Sequence, residues 1–437
     1  MKSMVRFVPV ITPVLLAGAA IFLMAADSAS IQPGGLTVHE WGTFTSVAGD
    51  DGVAVDWDAL GSKDDLPTFV NDFGYRCFKW RLTGTVRMET PVMYFYSPRE
   101  VSAHVKVQFP YGVITEWYPN GDNVVYESKK LMDQMGAPLR SRLYSEDAIY
   151  ETRRLLGPLA NGLDPLLVRL SPSLNGIDTS LRNLMGSIGW TDVKVQPGAA
   201  ANFPVENRPS RYYAARGTDA APITAGGQHE KFLFYRGVGR FQVPLSVRVS
   251  DGGKIVVENR SRESVPSVIL FENRDGRIGY RIADDIEAHL TFDAPALVGS
   301  FPQLRRALET ELIRQGLFPK EAQAMVETWR DSWFEEGSRL IYIVPSSAVD
   351  AILPLQVEPA PSQTVRVFVG RIELITPQTK RAVESAVAKS DWPAVDRYRR
   401  FLGPILERIY PGNPSQASKI EQLYLNSQGA FGGGDCR

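Results

Sequence analysis

The chain has little of the residue types that most often announce a chemistry. Its 4 histidines fall at 39, 104, 229 and 289, too dispersed for a zinc site to be read from spacing. His39-Glu40 lacks the second histidine of HExxH, and no GxSxG, P-loop or strand-borne GxGxxG is present. No metal or other cofactor is therefore expected. The 2 cysteines, Cys77 and Cys436, have no CxxC spacing, which removes a redox motif and a cysteine-held metal. They read equally well as a pair, since Cys436 sits on a Gly432-Gly433-Gly434 tail, or as separate thiols with Cys77 packed beside Phe78. Net charge is missing too. Lys and Arg number 48 against 49 acidic residues, so no whole-molecule field gathers nucleic acid or anionic lipid. Beyond the N-terminus no apolar run is long enough to cross a bilayer.

What is present starts at Met1. Lys2 and Arg6 precede an apolar stretch from Phe7 to Met24, and small residues follow from Ala25 to Ser30. That order predicts, over residues 1–30, a secretory signal peptide or an uncleaved N-terminal membrane anchor. The expected location is periplasmic or extracellular, with anchoring to the inner membrane if the segment stays on.

The body reads as α+β. Residues 31–295 form a β-rich, β-sandwich-like region: alternation marks Leu36 to Val47, Thr85 to Tyr96 and Val101 to Phe109. A second β block runs from Phe232 to Phe292 and includes a hairpin turning at Asp251-Gly252-Gly253. Between the blocks, 129–184 has a more helical and loop-rich character. Val105-Lys106-Val107 with Val113 to Glu116 echoes Val247-Arg248-Val249 with Ile255 to Glu258 at one constant offset. The echo is open to two readings, an internal duplication into two related units or ordinary strand–turn–strand patterning.

From 296 to 437 the period lengthens, predicting an α-rich C-terminal region with a few strands. Ser300 and Pro302 open one helix and Pro319 a second, with Trp329 and Trp333 on its core face. Helices are also expected after Thr376-Pro377, from Pro393 through Ile409, and after Pro414. The strands expected among them are Arg339 to Val344 and Val365 to Ile375.

Chemistry is best sought where carboxylates interrupt strands. On a strand from Leu36 to Val47, Glu40 shares a face with Val38, Gly42 and Phe44, while His39 and Trp41 share the other. Gly42 suggests close approach by another group. A carboxylate turned toward a core needs a partner or a raised pKa. Glu116 lies between Ile114 and Tyr118 in the same way, and Glu89 lies on its strand face beside Arg87. Glu40, Glu116 and Glu89 are accordingly the candidate catalytic residues, since glycoside cleavage uses paired carboxylates. His39, Trp41 and Trp117 are the candidate ligand-binding residues. Trp41, Trp57, Trp80 and Trp117 suit stacking on sugar rings if they are exposed.

Four segments carry a resemblance: His39-Glu40-Trp41-Gly42-Thr43-Phe44-Thr45, Met88 to Val92, Trp333 to Arg339, and Arg366 to Pro377. In these the chain resembles a family of uncharacterised exported bacterial proteins whose mature body begins with an HEWGTFT-like run. The resemblance implies a bacterial envelope setting and transfers no activity. Two functions follow as expectations. The first is an envelope protein that binds or scaffolds, its partner a glycan or another envelope protein. The alternative is an extracytoplasmic carbohydrate-active enzyme of glycoside hydrolase type. Nucleic acid is not an expected partner, and membrane contact is expected only through an uncleaved N-terminal segment.

Overall fold

The computed structural model describes residues 35–59, 66–72, 83–128, 184–200 and 202–428. The N-terminal 1–30 segment, positions 129–183 of the expected insertion, Trp80 and both cysteines lie outside the described residues. The first strands are β1 (Thr37–Val47), β2 (Trp57–Asp58), β3 (Asn71–Asp72), β4 (Thr83–Gly84), β5 (Val86–Tyr96), β6 (Val101–Phe109), β7 (Gly112–Tyr118), β8 (Asn123–Ser128) and β9 (Leu184–Val195). Then come β10 (Ile223–Ala225), β11 (Gln228–Glu230), β12 (Leu233–Gly239), β13 (Leu245–Val249), β14 (Ile255–Asn259), β15 (Val265–Arg274), β16 (Arg277–Ile286) and β17 (His289–Phe292). The C-terminal part adds β18 (Gly337–Ile343), β19 (Leu355–Glu358) and β20 (Gln363–Leu374). Its helices are α1 (Phe301–Arg314), α2 (Pro319–Trp333), α3 (Ser346–Ile352), α4 (Pro377–Ala388), α5 (Trp392–Asp396), α6 (Leu402–Ile409) and α7 (Pro414–Ser427).

The fold is α+β, with open sheets. The main sheet has nine strands in the order β16-β15-β18-β20-β1-β5-β12-β7-β3. A second runs β11-β10-β9-β6-β19 with β8 beside β9, and β13-β14-β17 form a third. β1 is the axis of the structure, and all eleven of its residues are buried. Its alternation therefore sorts side chains into two interiors, not into core and water. Val38 and Phe44 enter a core shared with Val105, Trp190 and Ile223 of the second sheet and Val247 and Val257 of the third. Trp41 enters the opposite core, beneath Leu304 and Leu308 of α1 and Met325, Trp329 and Trp333 of α2. A third cluster joins Val47 and Val238 to α4–α7 through Val383, Phe401, Ile405 and Tyr424. Each fully buried Val, Leu or Phe of this kind contributes roughly 1.5–3 kcal/mol.

Prolines open the helices as expected. Thr376 caps α4 by accepting a bond from the Thr379 N–H, and Asn413 caps α7 through the Gln416 N–H. Ser300 precedes α1 without a side-chain capping bond. The helix expected from Pro393 through Ile409 is instead divided into α5, a 3₁₀ turn at Arg399–Phe401, and α6. Pro404 explains the break. It has no N–H to give and its ring clashes with the carbonyl four residues back, so it is tolerated only in the first turn of a new helix. The two echoing segments occupy different topologies: β13 and β14 pair as a hairpin, whereas β6 and β7 belong to different sheets. The C-terminal strands do not sit apart with the helices. β18 and β20 fill the middle of the main sheet, and β20 runs parallel to β1 from Thr37↔Gln363 to Val47↔Glu373.

Candidate functional site

The four resembling segments come together on four adjacent strands, β18-β20-β1-β5. Beneath this stretch, on the face toward the second and third sheets, lies Glu40. Arg366, directly opposite on β20, donates from Nε to Glu40 Oε2 at 2.6 Å. The Tyr235 hydroxyl of β12 donates to Glu40 Oε1. Arg366 also reaches Asp350 of α3 at 2.7 Å, which links the buried carboxylate to the surface. Burial works against the Arg366 charge, but Glu40 and Tyr235 outweigh it and hold the guanidinium above its ordinary range. Burial, then the Glu40 charge, raises the Tyr235 hydroxyl. The group that approaches Gly42 is the Phe368 ring, whose nearest carbon lies 2.7 Å from where a Cβ would stand.

On the helix face His39 Nδ1 lies 2.8 Å from Glu321 Oε2 of α2, and the His39 ring stacks on Phe318 at 4.5 Å. Tyr96 donates its hydroxyl to Glu321 Oε1, and the Phe318 N–H donates to Oε2, each at 2.8 Å. Burial, then the Glu321 charge, raises the Tyr96 hydroxyl. One carboxylate thus ties two strands to the start of a helix.

The end of α2 is tied down more heavily. Arg339, fully buried on β18, donates to the carbonyls of Trp333, Glu335 and Glu336 at 3.0, 2.6 and 2.8 Å and to Glu373 at 3.0 Å. The last carbonyls of a helix lack intrahelical donors, and this guanidinium supplies one to Trp333 and holds the turn that follows through Glu335 and Glu336. Arg371 reaches Ser332 at 3.0 Å and pairs with Glu335 and Glu373. Arg400 reaches the same Ser332 at 3.0 Å and pairs with Glu89. Glu89 faces this side because a register shift sits between Trp41 and Thr43, pairing Trp41 with Val92 and Thr43 with Glu89. Thr90, in the shifted stretch, is held at φ 44°, a strained conformation for a β-branched residue.

Glu116 stands opposite Arg236 of β12 and Asp72 of β3, and accepts a bond from the Thr115 hydroxyl. Glu89 and Glu116 therefore share a face with the β12 strand between them, while Glu40 is on the other. The ligand-binding candidates divide likewise: His39 and Trp41 face α2, and Trp117 packs in the core that holds Val38 and Tyr235. The expectation of exposed tryptophans is corrected. Trp41, Trp57 and Trp117 are all buried: Trp41 and Trp117 stand on the main sheet, both of whose faces are covered, and Trp57, on the separate β2-β4 pair, packs against Phe401.

Sequence reasoning missed the open surface. A cleft of about 640 Å³ forms where the 52–54 loop, Tyr111, segment 240–246, Arg260 and α3 meet. A smaller cleft of about 340 Å³ lies on the second sheet beside His104, Lys106, Thr191, Gln356 and Glu358. Neither is lined by residues 39–45, the stretch that holds the candidates His39, Glu40 and Trp41. Among the described residues no group of three or more His, Cys, Asp or Glu is placed to hold a metal, and no helix is long and apolar enough to cross a membrane.

No family model matches the chain, and no curated protein matches it. Among solved structures, the Fcho1 mu homology domain of Danio rerio, with a bound Eps15 peptide, aligns over 79% of this chain and 99% of its own. The identity is 7% and the TM-score 0.27, a likeness that carries no argument about fold or function.

Proposed function

We propose that this is an exported bacterial cell-envelope protein whose body, its sheets stacked in the manner of a β-sandwich, binds or scaffolds a glycan or another envelope protein. One observation carries binding ahead of hydrolysis: both oxygens of Glu40 are engaged, one by Arg366 and one by Tyr235, and the residue has no exposed surface. A carboxylate so held fastens strands; it does not deliver or take a proton at a glycosidic oxygen. Export rests on the basic, apolar and small residues of 1–30, and places the body in the periplasm or outside the cell, tethered to the inner membrane if that segment is retained. The bacterial setting rests on the resemblance. The glycoside hydrolase reading keeps one supporting observation, that Glu89 and Glu116 face the same side across β12.

A glycan array combined with a hydrolysis screen on the purified protein tests both readings. Binding without turnover supports the first, turnover supports the second, and loss of turnover in Glu89→Gln or Glu116→Gln would identify the acid pair. Sequencing the N-terminus of exported material, with membrane fractionation, tests the location. Full-length protein retained in soluble cytoplasm would overturn it.

A further inference from the structure

Resting on the glycan-binding reading, we infer that the cleft of about 640 Å³ takes a carboxylated sugar, with Arg260 receiving the carboxylate and Phe241 the sugar face. The volume falls within the roughly 300–1,000 Å³ of small-ligand sites. The charge of the lining is one-sided: it contains Arg240 and Arg260 and no acidic residue. The acids close to it are already engaged. Asp56 pairs with Arg240 at 2.5 Å and Asp350 turns to Arg366 at 2.7 Å. Arg260 is exposed, and no described carboxylate lies within ion-pair distance of it. A guanidinium left uncompensated at the rim of a cleft is a fork for a carboxylate, which it binds through two parallel N–H bonds.

The rest of the lining fits a sugar better than a free acid. Phe241 is fixed edge-on by Phe44 at 5.4 Å and by Phe109 at 6.0 Å, so its ring is a rigid platform. Tyr111 stands 48% exposed at the rim, and Gln242 and Ser246 supply amide and hydroxyl groups for ring hydroxyls. A preformed aromatic surface with few polar groups beside it lowers the ordering cost of binding. An acidic peptide would want a bare strand edge for its backbone; the one edge strand in the lining, β13, already gives its Val247 N–H to the Gly52 carbonyl at 3.2 Å, and the rest of the wall is loops and α3.

The test is calorimetric titration of the purified full chain with an oligogalacturonate, its methyl ester and polyglutamate. The ester keeps the rings and removes the charge. The acid is expected to bind about ten-fold more tightly than the ester, in line with one charge-assisted hydrogen-bonding group, and the preference should shrink with added salt. Arg260→Gln should abolish the preference, leave ester binding in place and leave the melting temperature unchanged. Tyr111→Ala should weaken acid and ester alike. Equal binding of acid and ester, an unchanged preference in Arg260→Gln, or polyglutamate binding as tightly as the saccharide overturns the inference and leaves glycan binding standing. If no acidic or neutral saccharide on the array binds, the glycan reading fails together with it.

Discussion

Glu40 and Arg366 occupy the same register position on parallel strands, and their side chains close a 2.6 Å ion pair with both residues almost wholly out of water. Removing one partner of such a pair leaves the other buried and uncompensated. Glu40→Gln should therefore cost about 3 kcal/mol in urea unfolding, toward the low end because Arg366 keeps Asp350. The double change Glu40→Met with Arg366→Met should recover most of that loss. Normal stability with abolished ligand binding in Glu40→Gln would instead make this carboxylate part of a site.

Arg339 closes the end of α2 with four bonds in a fixed plane. Lysine keeps the charge but cannot span three carbonyls and a carboxylate from one position. Arg339→Lys is expected to cost at least about 2 kcal/mol, and hydrogen exchange should show Trp333 to Gly337 opening first. Uniform destabilisation without that local opening would count against a capping role.

Gly42 lies under the Phe368 ring and Gly370 under Tyr342, whose ring is nearer still to the site of an added Cβ. Gly42→Ala should destabilise by roughly 1–3 kcal/mol, and Gly370→Ala by more. Phe368→Leu should relieve the first and leave the second unchanged, as read by thermal melts of the single and double variants.

Burial, with the charges of Asp58 and Glu407, holds the Glu421 carboxyl above its usual range. The folded state then keeps this proton more tightly than the unfolded chain. Its contribution to stability is complete below the unfolded carboxylate pKa and fades as pH rises through the folded value. Glu421→Gln should accordingly be more stable than the parent by about 0.5 kcal/mol near neutral pH, with the gain vanishing near pH 4. Denaturant unfolding at the two pH values measures the difference, and a gain that grew toward acid would refute the sign.

The alternation of β1 was legible: Glu40 faces Tyr235 and the lower core, and His39 faces α2. The starts of α1, α2, α4 and α7 could be read from their prolines. What lies beyond each face was not legible. Thr37, His39, Thr43 and Thr45 alternate along one face and suggest a water-facing side, and Glu40 interrupts the other, yet both faces meet an interior. The partners that satisfy them, Glu321 and Arg366, lie 282 and 326 residues away, and nothing local to β1 encodes such pairings. The cleft was hidden for a related reason. Its lining is gathered from separate loops and a short helix, and Tyr111, Phe241 and Arg260 each look like ordinary turn or strand-end residues until the fold brings them together.

The parallel pairing of β1 with β20 also sets a schedule. At ribosomal speeds of roughly 5–20 residues per second, β1 waits on the order of tens of seconds before its neighbour exists. Throughout that interval an eleven-residue strand rich in Val, Trp, Phe and Thr has one side unoccupied, the condition in which strands recruit the wrong companion. A chain ending before Gln363 is thus expected to lose the middle of its main sheet, not merely a C-terminal appendage. Late truncations should aggregate as readily as early ones, and any factor that keeps the growing chain unfolded until its end is made should raise the yield.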